Sequence, residues 1–178
     1  MTILFYLLAL AAANFATANW TPIFTDFMGQ TVAITYGTFF IGALFFLRDA
    51  VQVRHGIKAA YYAIGAALAI NVAMSFYYDD LAWITTASAA ALAVSEVADT
   101  VAFTRFKGAF GPRILFSGLI STPLDSTVFV ILGLSPLTTG IVPWAAVVPT
   151  IVLQTVIKLG MQVLVAAPLW RREVQVQV

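Results

Sequence analysis

The stretch LAWITTASAAALAVSEVADTVAF, residues 81–103, decides how the chain is read. It is long and apolar enough to cross the ~30 Å hydrocarbon layer of a bilayer as one helix, yet it carries Glu96 and Asp99. Ionisable groups inside such a span cost about 2.5–3.5 kcal/mol each on insertion scales, so they are kept where they meet partners or a polar cavity. Helical spacing puts Ser95, Glu96 and Asp99 on one broad face, with Ser88 two turns back. The alanines and serines before them let neighbouring helices approach closely.

The rest of the chain agrees with a membrane reading. Of its 178 residues 61% are hydrophobic and only 10% charged, with mean hydropathy +0.94. Nine Lys/Arg and eight Asp/Glu cannot clothe a soluble globule of this size. A soluble enzyme and a disordered tail are excluded, and a net charge of +1 lacks the basic field of a nucleic-acid binder. With no cysteine there is no disulfide, thiolate chemistry or Cys-based zinc site. The single histidine, His55, reads as a solvated loop residue, and neither a metal nor a cofactor is expected.

The fold class expected is therefore all-α, a polytopic bundle forming one transmembrane domain over residues 1–178. Six spans qualify: 2–18, 31–47, 58–77, 81–104, 113–134 and 142–170. The last is long enough to tilt or break, and it contains Pro143, Pro149 and Pro168. Strands are not expected, since the ten-residue alternation of a barrel is missing. Basic residues gather in the 48–58 connection (Arg48, Arg54, Lys58), the 105–113 connection (Arg105, Lys107, Arg113) and the C-terminus (Arg171, Arg172). The connections around Asp26, around Asp79 and Asp80, and across 135–141 have none, so both termini are expected in the cytoplasm. Trp20, Trp83, Trp144 and Trp170 stand near span ends as interfacial anchors. The first span resembles a signal peptide ending in Ala-Thr-Ala, but it lacks a basic start and holds Asn14 in its apolar run, so it is read as retained.

Other polar residues fall inside spans. Ser117, Ser121 and Asp125 recur at i, i+4, i+8, as do Gln154, Lys158 and Gln162. Lys158 is a dozen residues from Arg171, too deep to snorkel with ease. Pro123 frees the carbonyl of Leu119 two residues before Asp125, as in helices interrupted around a solute. The plainer readings are a kink at Pro123, a structural ion pair between Lys158 and one carboxylate, and Asp99 paired with Arg105 or Arg113. One such pair would leave two carboxylates unexplained, and a polar cavity is favoured. Arg48 and Asp49 read as an ion pair or gate at the cytoplasmic boundary together with Arg113.

Three stretches then carry a resemblance: FFLRDAVQVRHG (45–56), ASAAALAVSEVADTVAF (87–103) and SGLISTPLDSTVF (117–129), with Gln154 to Lys158 similar to a Gln-x-x-Gly-Lys signature. The chain resembles the queuosine precursor transporter family, also called the vitamin-uptake-transporter-like family. Gly118 stands where many relatives have asparagine. The resemblance implies uptake of 7-deazaguanines, the 7-cyano and 7-aminomethyl forms, across the cytoplasmic membrane of a bacterium. The substrate site is expected among Glu96, Asp99, Asp125, Lys158, Gln154, Asn14, Ser95 and Ser121.

The chemistry is compatible. Glu96 or Asp125 would accept the paired N–H donors of the base, and Lys158 or Gln154 would donate to its carbonyl. Asn14 would add a hydrogen bond, and Phe103, Phe116 and Phe129 are candidate stacking faces. Partners are then a small base and membrane lipid, with no nucleic acid; the oligomeric state stays open. Both termini on one side permit a 3+3 inverted repeat, although the halves share no convincing similarity. With no Walker motif in the chain, ATP use would need a partner protein. Three competing readings are a substrate-capture subunit of a larger ATP-driven importer, an intramembrane aspartic hydrolase and a ligand-free structural bundle.

Overall fold

The computed structural model describes residues 1–77 and 82–171. The Asp79–Asp80 connection and Arg172 lie outside the described residues. In chain order come α1 (Thr2–Asn19), a hairpin of β1 (Ile23–Phe27) and β2 (Gln30–Ile34), α2 (Gly37–Tyr77), α3 (Ala82–Arg105), α4 (Phe110–Phe129) and α5 (Trp144–Ala166). Five helices among the described residues are long and apolar enough to cross a membrane.

α2 is the unusual one. Its 41 residues would extend about 60 Å at 1.5 Å per residue, twice the hydrocarbon thickness. Gly56 interrupts it at φ 84°, ψ 170°, a conformation essentially reserved for glycine. Contacts with α1 show what the break does. Asn14 of α1 donates to Asn71 at 2.9 Å, and Thr17 closes against Gly37, while Arg54 reaches back to Thr2 at 3.1 Å. Both ends of α2 thus meet one end of α1, and its middle meets the other. The chain reverses at Gly56, and stretches 37–55 and 57–77 lie side by side, with Leu44, Val51, Ala63 and Ala67 in one apolar cluster with Tyr6 and Leu10.

Two expectations are corrected here. Residues 31–36 do not open a span: Gln30–Ile34 is the second strand of an antiparallel hairpin, so strands are present after all. Met28 (φ 53°) and Gly29 (φ 74°) supply the two left-handed residues of a tight two-residue turn, whose twist suits flanking strands. Ala33 on β2 packs with Ile84, Val142 and Ala146, so the hairpin lies across the end of the bundle where α3 and α5 begin. The second correction concerns 48–58. Arg48 and Asp49 do not stand in a connection but on α2, fully buried.

The prolines break less than expected. α4 runs through Pro123 and ends in a π-helical turn, Val130–Leu134. Pro143 caps α5, Pro149 sits within its early turns, and Pro168 falls in a 3-10 turn after it.

Polarity is distributed as a membrane demands. Leu4, Leu8, Tyr62, Phe76, Val148 and Leu164 point outward, whereas Arg48, Glu96, Asp99, Gln154 and Lys158 are buried. Gln52 bonds Thr104, and Gly111 accepts no side chain because Trp170 covers it, so the Gly56 reversal, the 105–110 turn and residue 170 share one end. We call this the basic end, and the opposite one the hairpin end.

Candidate functional site

A narrow cleft enters from the hairpin end. Its walls are Asn14 and Thr17 of α1, Thr35 just ahead of α2 and Thr38 in its first turn, and Thr85, Ser88 and Leu92 of α3. Asp125 and Phe129 of α4 and Lys158 of α5 line it more deeply. In this conformation water-sized molecules can centre themselves over only ≈ 30 Å³ of its interior, room for water rather than a bicyclic base.

At its floor the Lys158 ammonium donates to Asp125 Oδ2 at 2.6 Å, to Ser126 Oγ at 3.2 Å and to Gln154 Oε1 at 3.3 Å. Ser95 donates to the other Asp125 oxygen at 3.2 Å. The Phe129 ring centroid lies 5.6 Å from the ammonium. Helical spacing produces this floor, because Gln154 and Lys158 are one turn apart on α5 and Asp125 and Phe129 one turn apart on α4. Close approach of α2 to α5 comes from Gly42, where a Cβ would stand 2.5 Å from the Lys158 carbonyl oxygen.

Beneath the floor, toward the basic end, lies a second polar layer centred on Arg48. Its guanidinium meets Glu96 Oε2 at 2.9 Å from Nε and Asp49 Oδ1 at 2.8 Å from Nη2, and it also contacts Asp99. Nη1 donates to Gln52 at 2.8 Å and Thr100 at 3.2 Å. Tyr6 donates to the second Glu96 oxygen at 3.3 Å, and Ser121 to the second Asp99 oxygen at 3.0 Å. Arg113 stands to one side, donating to the Phe103 carbonyl at 2.6 Å with its guanidinium 4.2 Å above the Phe103 ring. Such a planar fork of five donors suits a site where several acids converge.

The expected site residues thus separate into two layers. Asp125 and Lys158 line the cleft floor, with Ser95 and Gln154 bonded to them from outside the lining; Glu96, Asp99 and Ser121 belong with Arg48 and Asp49 below it. Asn14 lines the cleft, although its amide is engaged by Asn71. Asp99 meets Arg48 rather than Arg105 or Arg113. Of the three candidate stacking rings only Phe129 faces the cleft, since Phe103 lies under Arg113 and Phe116 is exposed and stacked on Phe106.

Sequence reasoning missed Tyr6 and Gln52. Gln52 had a readable signal: it stands at i+4 from Arg48, and the first residue after Arg48 suited to stopping a helix is Gly56. Tyr6 had none, since a tyrosine in a leucine-rich run looks like ordinary lipid-facing bulk.

The family described as "Putative vitamin uptake transporter" matches residues 77–171, more than half of the chain. The chain belongs to the vitamin uptake transporter family. No curated protein and no solved structure matches it. For a vitamin uptake transporter the two layers have an evident relation to the membrane. The cleft opens toward the hairpin end, and the Arg48 layer lies between its floor and the basic end. Glu96, Asp99, Asp125 and Lys158 lie inside the matched region; Asn14, Arg48 and Asp49 lie before it.

Proposed function

We propose that the chain imports a queuosine precursor, a 7-deazaguanine such as 7-cyano-7-deazaguanine, across the bacterial cytoplasmic membrane. In this reading α2 crosses twice, the chain crosses six times, and both termini are cytoplasmic. The observation that carries it is the Lys158–Asp125 pair at the cleft floor beside Phe129. An acceptor and a cationic donor side by side complement the edge of a deazaguanine, whose ring N–H and exocyclic amine adjoin a carbonyl. Asp125 would accept the donors and Lys158 would reach the carbonyl. The Nε2 of Gln154, buried without a hydrogen-bond partner, would be the reserve donor. Phe129 offers a ring face. Ligand entry must widen the cleft, as an alternating-access cycle requires.

Thermal unfolding of detergent-purified protein tests this. The compounds are 7-cyano-7-deazaguanine, 7-aminomethyl-7-deazaguanine, guanine and an unrelated vitamin. A ligand binding only the folded state adds about 2.7 kcal/mol at a hundredfold excess over Kd. The expected result is a raised midpoint with the deazaguanines alone, lost in Lys158→Met. A shift with the unrelated vitamin and none with the deazaguanines would refute the substrate assignment.

A further inference from the structure

The outer surface of the bundle is not evenly filled. On the outside of α3 and α4, in the half nearer the basic end, lies a groove of ≈ 580 Å³, the size of a small-molecule pocket and far roomier than the ≈ 30 Å³ of the cleft within. Ala98, Val101 and Ala102 of α3 form one side, and Phe116 and Ile120 of α4 the other. Helical spacing builds the α3 side, since 98, 101, 102 and 105 follow i, i+3, i+4, i+7, a face turned away from Glu96 and Asp99. Val101, Phe116 and Ile120 are exposed, so the groove opens onto the hydrocarbon of the membrane.

One end of this apolar groove is charged. Arg105, in the last turn of α3, lines it and is exposed, and Lys107 just beyond is exposed as well. Neither has an ion pair among the described residues. The acids of α3 do not serve them, because Glu96 and Asp99 turn inward to Arg48. Phe106, stacked on Phe116 with ring centroids 4.5 Å apart, borders the groove next to Arg105. From there the groove runs inward as far as Ile120, which lies about 15 Å along α4 from its start at Phe110. That is half of the ~30 Å hydrocarbon layer, the depth of one leaflet. A partner helix would continue through the other leaflet, whereas an acyl chain stops where the groove does.

We propose that this groove binds an anionic phospholipid from the leaflet at the basic end, with an acyl chain between α3 and α4 and the phosphate on Arg105, Lys107 beside it. The guanidinium fork matches phosphate oxygens, and basic pockets between membrane helices take such headgroups. The bound chain braces α3 against α4 from outside, on the far side from the bond between Ser121 and Asp99. Binding of this lipid requires only that the bundle reside in a membrane and is independent of the deazaguanine assignment.

Native mass spectrometry and thermal unfolding of delipidated protein in a non-ionic detergent test this, with phosphatidylglycerol set against phosphatidylcholine of the same acyl chains. The expected result is one tightly held phosphatidylglycerol per chain and a higher unfolding midpoint than with phosphatidylcholine. A lipid at a hundredfold excess over its Kd shifts the unfolding equilibrium about a hundredfold. Arg105→Gln should weaken phosphatidylglycerol about fivefold, the effect of one cation at a charged headgroup, and leave phosphatidylcholine unchanged. Lys58→Gln, which removes an exposed cation of α2 outside the groove, should change neither. Val101→Trp fills the groove from an exposed position and should weaken both lipids. All three side chains are exposed, so the midpoints without lipid should stay near that of the wild type. Equal binding of the two lipids, equal losses in Arg105→Gln and Lys58→Gln, or undiminished phosphatidylglycerol binding in Val101→Trp would overturn the proposal. So would a dimer of the delipidated protein that Val101→Trp abolishes, since a second copy would then be the occupant.

Discussion

Arg48 holds three acids from two helices. Its neutralisation in Arg48→Met strands Glu96 and Asp99 in the interior. Removing one partner of a buried ion pair typically costs about 3–5 kcal/mol. We expect a loss of that order in a denaturant titration, with part of it recovered when Glu96→Gln and Asp99→Asn are added. A loss no larger than that of a surface arginine would show that the acids do not depend on it. The acids themselves were readable at this scale, because ionisable residues in an apolar run have no inexpensive place in lipid. Lys158 was readable for the same reason, and its partner proves to be Asp125. Arg48 was misplaced because an arginine after FFIGALFFL looks like the end of a span, and only the helical continuation to Gly56 carries it inside.

Elements are joined through small residues, and their effects can be separated. Gly42 and Gly65 are both helical glycines of α2, yet a Cβ at Gly42 would press on the Lys158 carbonyl and Met161, whereas one at Gly65 would meet nothing. Gly42→Ala should cost about 1–3 kcal/mol by overpacking and shift α5, weakening any ligand-induced stabilisation. Gly65→Ala should leave ligand response intact and gain up to about 1 kcal/mol of helix propensity. Equal midpoints for the two variants would remove the close α2–α5 approach as the cause. Helix boundaries were mostly legible from apolar runs. The hairpin was not, since Val32, Ala33 and Ile34 extend the hydrophobic stretch ahead of α2 and conceal a turn of only two residues, Met28 and Gly29.

At the scale of the molecule, the bundle has a basic end and a hairpin end, and the transport reading assigns these to the cytoplasm and the exterior. The absence of cysteine makes this directly measurable. Thr25→Cys in β1 and Lys107→Cys in the 105–110 turn are both exposed positions. A membrane-impermeant thiol reagent should label the first in intact cells and the second only after permeabilisation. The reverse pattern would invert the topology and with it the direction in which the cleft faces.

The sequence by itself determined that this is a helical membrane protein, and that a few costly polar side chains must share its interior. Both follow from local quantities, the length and periodicity of apolar runs and the solvation energy of single groups. Only the tertiary structure decided how those groups are partitioned. Glu96 and Asp125 are both buried carboxylates, yet one meets Arg48 and the other pairs with Lys158 at the floor of a cleft. That choice depends on how far each helix is rotated, on the reversal at Gly56 and on the approach allowed by Gly42. These are relations between segments distant in the chain, which no local pattern records.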